Sequence, residues 1–193
     1  IQGLPFNPEL FDPKNKIIIS SALYDIKIVK QTIQKYFSPP YFPIDLVSSL
    51  SNIKFLPFNA VQEKLKKDIS LDSVFLKHPG GSTGYKLVEK NSSFVYLCDN
   101  EFGEDQRKSL AHFSKNADLL VWDGMFTQKE IADKKGWGHS SIEQAIDFNK
   151  GANCKKILIT HHAPNRNDKE LDQIAKDLPE LFMLARDGLE IEV

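Results

Sequence analysis

The chain has 193 residues, 41% of them hydrophobic and 26% charged, and its 25 Lys+Arg balance 26 Asp+Glu to a formal net charge of -1. Such a composition excludes disorder for most of the chain and gives one domain ample core material; no run approaches the roughly 20 apolar residues of a membrane span, and no basic-then-apolar leader opens it. A soluble, cytoplasmic protein is expected, and the balanced charge disfavours a partner gripped by bulk electrostatics, leaving nucleic acid open but not favoured.

In chain order, Pro5, Pro8 and Pro13 preclude a long opening helix, and Lys16-Ile17-Ile18-Ile19-Ser20 reads as a short buried strand. Ile26, Val29, Ile33 and Phe37 form a helical stripe over 25–37, which Pro39-Pro40 and Pro43 stop. The aromatic segment from Tyr36 to Phe42 suits a lid, an oligomer contact or a packed loop, and a homodimer stays open. From residue 52 the pattern changes to strands at 52–58, 71–78, 83–89 and 93–98, separated by Gly, Asn and Ser, which read as an antiparallel meander. Beyond 105 helix and strand alternate: a helix over 105–115, a strand over 117–122, a helix over 140–150, a strand over 155–160, a helix over 171–185 and a last strand over 189–193. A meander followed by helix–strand units predicts one continuous domain of the α+β to α/β range, a sheet with helices on its outer face. Function is then sought at strand ends.

Most of the histidines fall there. His78 ends a strand before Pro79-Gly80-Gly81, Asp99 ends another, His139 precedes a helix, and His161-His162 end a third strand. Histidine and carboxylate at strand ends can hold a metal rigidly, although each alone is more often an ordinary hydrogen-bonded turn residue. Ser140 and Glu143 have capping-box spacing, which puts the first helical residue at Ser141 and His139 just outside a helix N-terminus, a natural anion site. The segment from Pro79 to Gly84 lacks the Lys-Ser/Thr ending of a phosphate loop and reads as a hairpin turn. His112 lies in a helical pattern, and Cys98 and Cys154 lack the spacing of a zinc finger or disulfide framework; all three are expected to be structural.

Taken in order, His-Pro-Gly-Gly-Ser-Thr-Gly-Tyr (78–85), Tyr-Leu-Cys-Asp-Asn-Glu (96–101), Asp-Leu-Leu-Val-Trp-Asp-Gly (118–124), Gly-Trp-Gly-His-Ser-Ser (136–141) and Leu-Ile-Thr-His-His-Ala-Pro (158–164) resemble the metallo-β-lactamase superfamily, on the side of its phosphodiesterases such as ribonuclease Z and the cyclic-nucleotide enzymes. The resemblance implies an αββα sandwich and two divalent ions, zinc first, then manganese or iron. It implies His78 as a ligand of the first ion, Asp99 as the bridging carboxylate and His161 as a ligand of the second, with His139 contacting the scissile phosphate and assisting the leaving group. His162, Asp123 and Asp168 are candidates for supporting roles around the metals, and Asp168 is read first as a helix N-cap.

The family's His-x-His-x-Asp-His signature occurs nowhere in the chain, and Ile1-Gln2-Gly3-Leu4-Pro5-Phe6 is similar to the stretch that follows it. With Ile at position 1 and methionine only at 125 and 183, an N-terminally truncated domain spanning 1–193 is expected. His78, Asp99 and His161 alone are too few donors for two ions, so this chain is expected to bind metal weakly and to be close to inactive. The absence of a long basic insertion before residue 78 favours a small-molecule phosphodiester, such as a cyclic nucleotide, over transfer RNA. A lactone or thioester hydrolase, or a non-catalytic binding domain, are the alternative readings.

Overall fold

In the computed structural model, described for residues 3–50 and 52–193, the chain divides into two compact units, Ile1–Leu65 and Lys66–Val193. The first unit follows its proline punctuation. Two 3-10 turns, Leu4–Phe6 and Pro8–Leu10, each carry a proline in the first turn, where the missing N–H costs nothing. Then come β1 (Ile17–Ile19), α1 (Ile26–Tyr36), α2 (Leu46–Ser49), β2 (Ile53–Phe55) and α3 (Phe58–Gln62). Asp25 caps α1 by accepting from the Lys27 N–H, and the predicted stripe packs Ile33 and Val29 against Leu10, Phe37 and Leu46. Phe37 is buried there and Phe42 packs beside it, so the aromatic segment is a packed loop; Tyr36 and Tyr41 are its exposed residues.

The stretch predicted as a strand over 52–58 does not join the meander. Its strand covers three residues and pairs in parallel with β1, Ile17 opposite Ile53 and Ile19 opposite Phe55, and Pro57 then turns the chain into α3. Two short apolar runs in one small unit satisfy each other's backbone groups, a pairing that periodicity does not reveal.

The second unit contains β3 (Ile69–Leu76), β4 (Ser82–Glu89), β5 (Ser92–Leu97), α4 (Glu104–Phe113), β6 (Leu119–Asp123), α5 (Gln128–Ile131), α6 (Ile142–Ala152), β7 (Ile157–Thr160), α7 (Asp168–Lys176) and β8 (Phe182–Leu184). They form one six-stranded sheet in chain order, antiparallel from β3 to β5 and parallel from β5 to β8. Leu76, Val95, Leu97, Leu120, Trp122, Ile157, Ile159 and Leu184 build the core with Leu110 of α4 and Ala145 and Phe148 of α6. At its centre Phe102, Trp122 and Phe148 pack ring to ring at 4.9–5.4 Å, and the Trp122 indole N–H donates to the Ser141 carbonyl at 3.1 Å. Gly80 and Gly81, both at positive φ, make the β3–β4 hairpin turn as expected.

The C-terminus departs from the sequence reading. The helix predicted over 171–185 is α7 followed by a strand: the chain leaves helix by Asp177, and Pro179 precedes Phe182-Met183-Leu184, which extends the sheet with Phe182 opposite Ile157. The strand expected over 189–193 is absent because β8 already fills that edge; Leu189 and Val193 are exposed. Asn167, not Asp168, caps α7, its side chain paired reciprocally with Glu170, so Asp168 is a first-turn acid.

Candidate metal centre

Parallel neighbours end at the same sheet edge. Leu97 lies opposite Trp122 and Asp123 opposite Thr160, so Asp99, Asp123 and His161 emerge side by side from the ends of β5, β6 and β7. β3 runs in the direction of β5, because two antiparallel steps restore it, and delivers His78 to the same edge. His139 arrives on the loop before α6. Among the described residues, Asp99, Asp123, His139 and His161 form a group whose ligand atoms all lie within 4.8 Å of one another.

Asp99 and His161 both hold the left-handed backbone conformation, φ 56° and 61°, which costs free energy in non-glycine residues and persists only where surroundings enforce it. Their reward is convergence: His161 Nε2 and Asp99 Oδ1 are 3.5 Å apart, with the side chains 40% and 47% exposed. Two donors each about 2.1 Å from a tetrahedral zinc stand about 3.4 Å apart. The donor set and this spacing fit a divalent cation.

Asp123 is fully buried and accepts three hydrogen bonds, from the His139 Nδ1–H at 2.8 Å, the Asn100 N–H at 3.3 Å and the Met125 N–H at 3.2 Å. The carboxylate can only accept, so it holds the His139 proton on Nδ1 and leaves Nε2 free. The His139 ring lies stacked on His161 at 4.8 Å and meets His78 edge-on at 5.2 Å. His78 points its own Nδ1 at the Gly138 carbonyl, 2.9 Å away, an orienting bond typical of ligand histidines that leaves Nε2 available. The sheet thus brings His78, Asp99, Asp123, His139 and His161 to one edge.

His162 turns away: its Nε2–H donates to the Ala185 carbonyl at 3.3 Å, and burial, with Arg166, His161 and Arg186 nearby, lowers its pKa. Asp168 starts α7, outside the four-residue group. The α6 cap sits one residue later than the spacing predicts. Ser141 caps and pairs with Gln144, which frees Ser140 to bond the Asn100 carbonyl and to accept from the Phe102 N–H at 3.2 Å. Asn100 is buried and accepts from the Lys77 N–H at 2.9 Å. Sequence reasoning missed these braces, whose only trace is Asn100 and Glu101 following Asp99 directly. Cys98 and Cys154 are free and buried, as expected, and burial pushes their thiols up to about 12 and about 11.

A mixed sheet of this order with a histidine–carboxylate group at the strand ends is the metallo-β-lactamase fold, which the chain shares with solved structures. Human tRNase Z, short form, superposes with a TM-score of 0.65 at 16% identity over 100% of this chain and 74% of its own. The metallo-beta-lactamase fold protein YhfI from Bacillus subtilis gives 0.64 at 21% over 89% of this chain and 63% of its own. In sequence the chain is similar to ribonuclease Z of Prochlorococcus marinus: 38% identity over 82 residues in strain MIT 9515 and 34% over 110 residues in strain MIT 9301. The matches take in 42% and 54% of this chain but only 25% and 34% of those relatives. No protein-family model matches the chain.

Proposed function

We propose that the complete protein is a metal-dependent phosphodiester hydrolase, in which His78, Asp99 and His161 would hold divalent ions. The observation that carries this reading is the buried Asp123 whose carboxylate fixes the His139 ring beside the Asp99–His161 pair. Bound there, zinc, or manganese or iron in its place, supplies Lewis-acid polarisation of the phosphoryl group and activation of water. The chain's own residues supply orientation and a proton path. His139, held by Asp123 through Nδ1, presents Nε2 to a phosphate oxygen and, when doubly protonated, passes a proton from Nε2 to the leaving alkoxide.

Catalytic zinc generally takes three protein ligands and a water, so two ions ask for more donors than this edge offers. We place the remainder in sequence outside residues 1–193, which leaves the 193-residue chain a weak metal binder with little activity. A small phosphodiester such as a cyclic nucleotide suits the site, because two of its flanking cations are already engaged, Lys77 by Asp105 and Arg166 by Glu130. The relatives named ribonuclease Z make RNA the second substrate reading. Among the described residues no helix is long and apolar enough to cross a membrane.

The test is a parallel assay of the full-length protein on bis(p-nitrophenyl) phosphate, a cyclic nucleotide, a precursor transfer RNA, a lactone and a thioester. Hydrolysis of the phosphodiesters is expected, the cyclic nucleotide ahead of the RNA. Turnover of only the lactone or thioester overturns the phosphodiesterase reading, and turnover of none points to a binding domain.

A further inference from the structure

Glu101 joins three segments that each end in a residue of the candidate centre. Its backbone N–H donates to the Lys77 carbonyl at 2.7 Å, next to His78, and Asp99 lies two residues before it. Its carboxylate Oε2 accepts from two backbone groups of the loop that delivers His139, the N–H of Gly136 at 2.7 Å and of Gly138 at 3.0 Å. Both glycines have positive φ, 84° and 86°, so their N–H groups converge in a small anion-binding concavity, and Glu101 fills it. The Gly138 carbonyl in turn takes the His78 ring at 2.9 Å. One carboxylate therefore fixes the loop that orients His78 and carries His139. Nothing else in the His139 loop between 133 and 138 is tied to the β5 end by a side chain among the described bonds.

We propose that Glu101 is a positioning residue: it clamps the loop 133–139 against the strand ends so that the His78 and His139 rings are held in register for the reaction. The proposal rests on the hydrolase reading only for its effect on turnover. The clamp itself is measurable without activity, because the loop carries its own reporter. Of the two tryptophans, Trp122 is 1% exposed in the core and Trp137, between the two clamped glycines, is 53% exposed. Trp137 rests near Phe126, 6.2 Å between ring centres, with the Lys134 ammonium 4.3 Å over its face.

The experiment compares Glu101→Ala, Glu101→Gln and the control Glu104→Gln by acrylamide quenching of tryptophan in the 193-residue chain, and by turnover and metal content in the full-length protein. Glu101→Ala is expected to raise the quenching constant at least twofold and to lower kcat about tenfold or more, with KM within threefold and metal content unchanged. Glu101→Gln keeps a carbonyl acceptor and is expected to recover most of both, and Glu104→Gln to match the parent. Quenching in Glu101→Ala equal to the parent overturns the clamp whatever the activity. A raised quenching constant in Glu101→Ala, with a full-length parent that hydrolyses no phosphodiester, upholds the clamp and overturns the hydrolase reading instead. Should Glu101→Ala fail to fold, Glu101→Gln decides alone: a Gln variant with a parental quenching constant and parental kcat supports an acceptor role, and loss of kcat with parental quenching contradicts it.

Discussion

At Gly138 the site leaves no room for a side chain. A Cβ there would stand 2.2 Å from His78 Nδ1 and 2.5 Å from Pro79 Cδ, on a backbone with φ +86°. Gly138→Ala must therefore push the His78 ring away and strain the loop, and a loss of roughly 1–3 kcal/mol in urea unfolding is expected; a stability equal to the parent would show that the loop yields freely. His139→Ala in the full-length protein is expected to lower turnover by about 10²–10⁴ while elemental analysis finds the metal retained. Loss of metal in that variant would make His139 a ligand and not a proton donor. At this scale the sequence was informative about which residues lie together and poor about how they are oriented. His78, Asp99, His139 and His161 stand out as chemistry-bearing residues at strand or helix ends, whereas the bond from Asp123 to His139 joins positions 16 apart through a fold that no local pattern encodes.

Among the elements, α6 depends on its cap. Ser141 accepts from the Gln144 N–H at 3.2 Å, and the Gln144 side chain accepts from the Ser141 N–H at 2.8 Å. Ser141→Ala is expected to cost about 1 kcal/mol, more than Ser141→Gly, in denaturant midpoints. The start of β6 carries a pH-dependent tie. The Lys155 ammonium, with the Ser93 hydroxyl and N–H, holds the Asp118 carboxyl down to about 2, against an ordinary value of 3.8. A depressed carboxyl pKa stabilises the fold fully above the unfolded value and less as pH falls through the folded one. Because Lys155 is well exposed, its contribution is about 1–2 kcal/mol. Urea midpoints of Asp118→Asn should lie below the parent at pH 6, and the gap should close between about pH 4 and pH 2; a constant gap would assign the loss to packing. The strands of the hairpins and of the parallel core were legible from apolar runs and turn residues. β8 was not, because Phe182-Met183-Leu184 continues the apolar spacing of the preceding helix and only its pairing with β7 makes it a strand.

For the whole molecule, the order of motifs was more telling than their periodicity. Four of five short segments spread over 78–164 arrive at one sheet edge because β3, β5, β6 and β7 all run in one direction, and the loop before α6 brings the fifth. The division into two units was hidden, since both carry the same mixture of apolar runs and polar turns and no linker separates them. The decisive measurement is a zinc titration of the 193-residue chain followed through the ring nitrogens of its five histidines by NMR. If the sheet edge is a metal centre, the His161 and His78 nitrogens move together as zinc is added, His112 stays still, and Asp99→Ala abolishes the His161 response. Rings at positions 78 and 161 that ignore millimolar zinc, or respond unchanged without the Asp99 carboxylate, would contradict it.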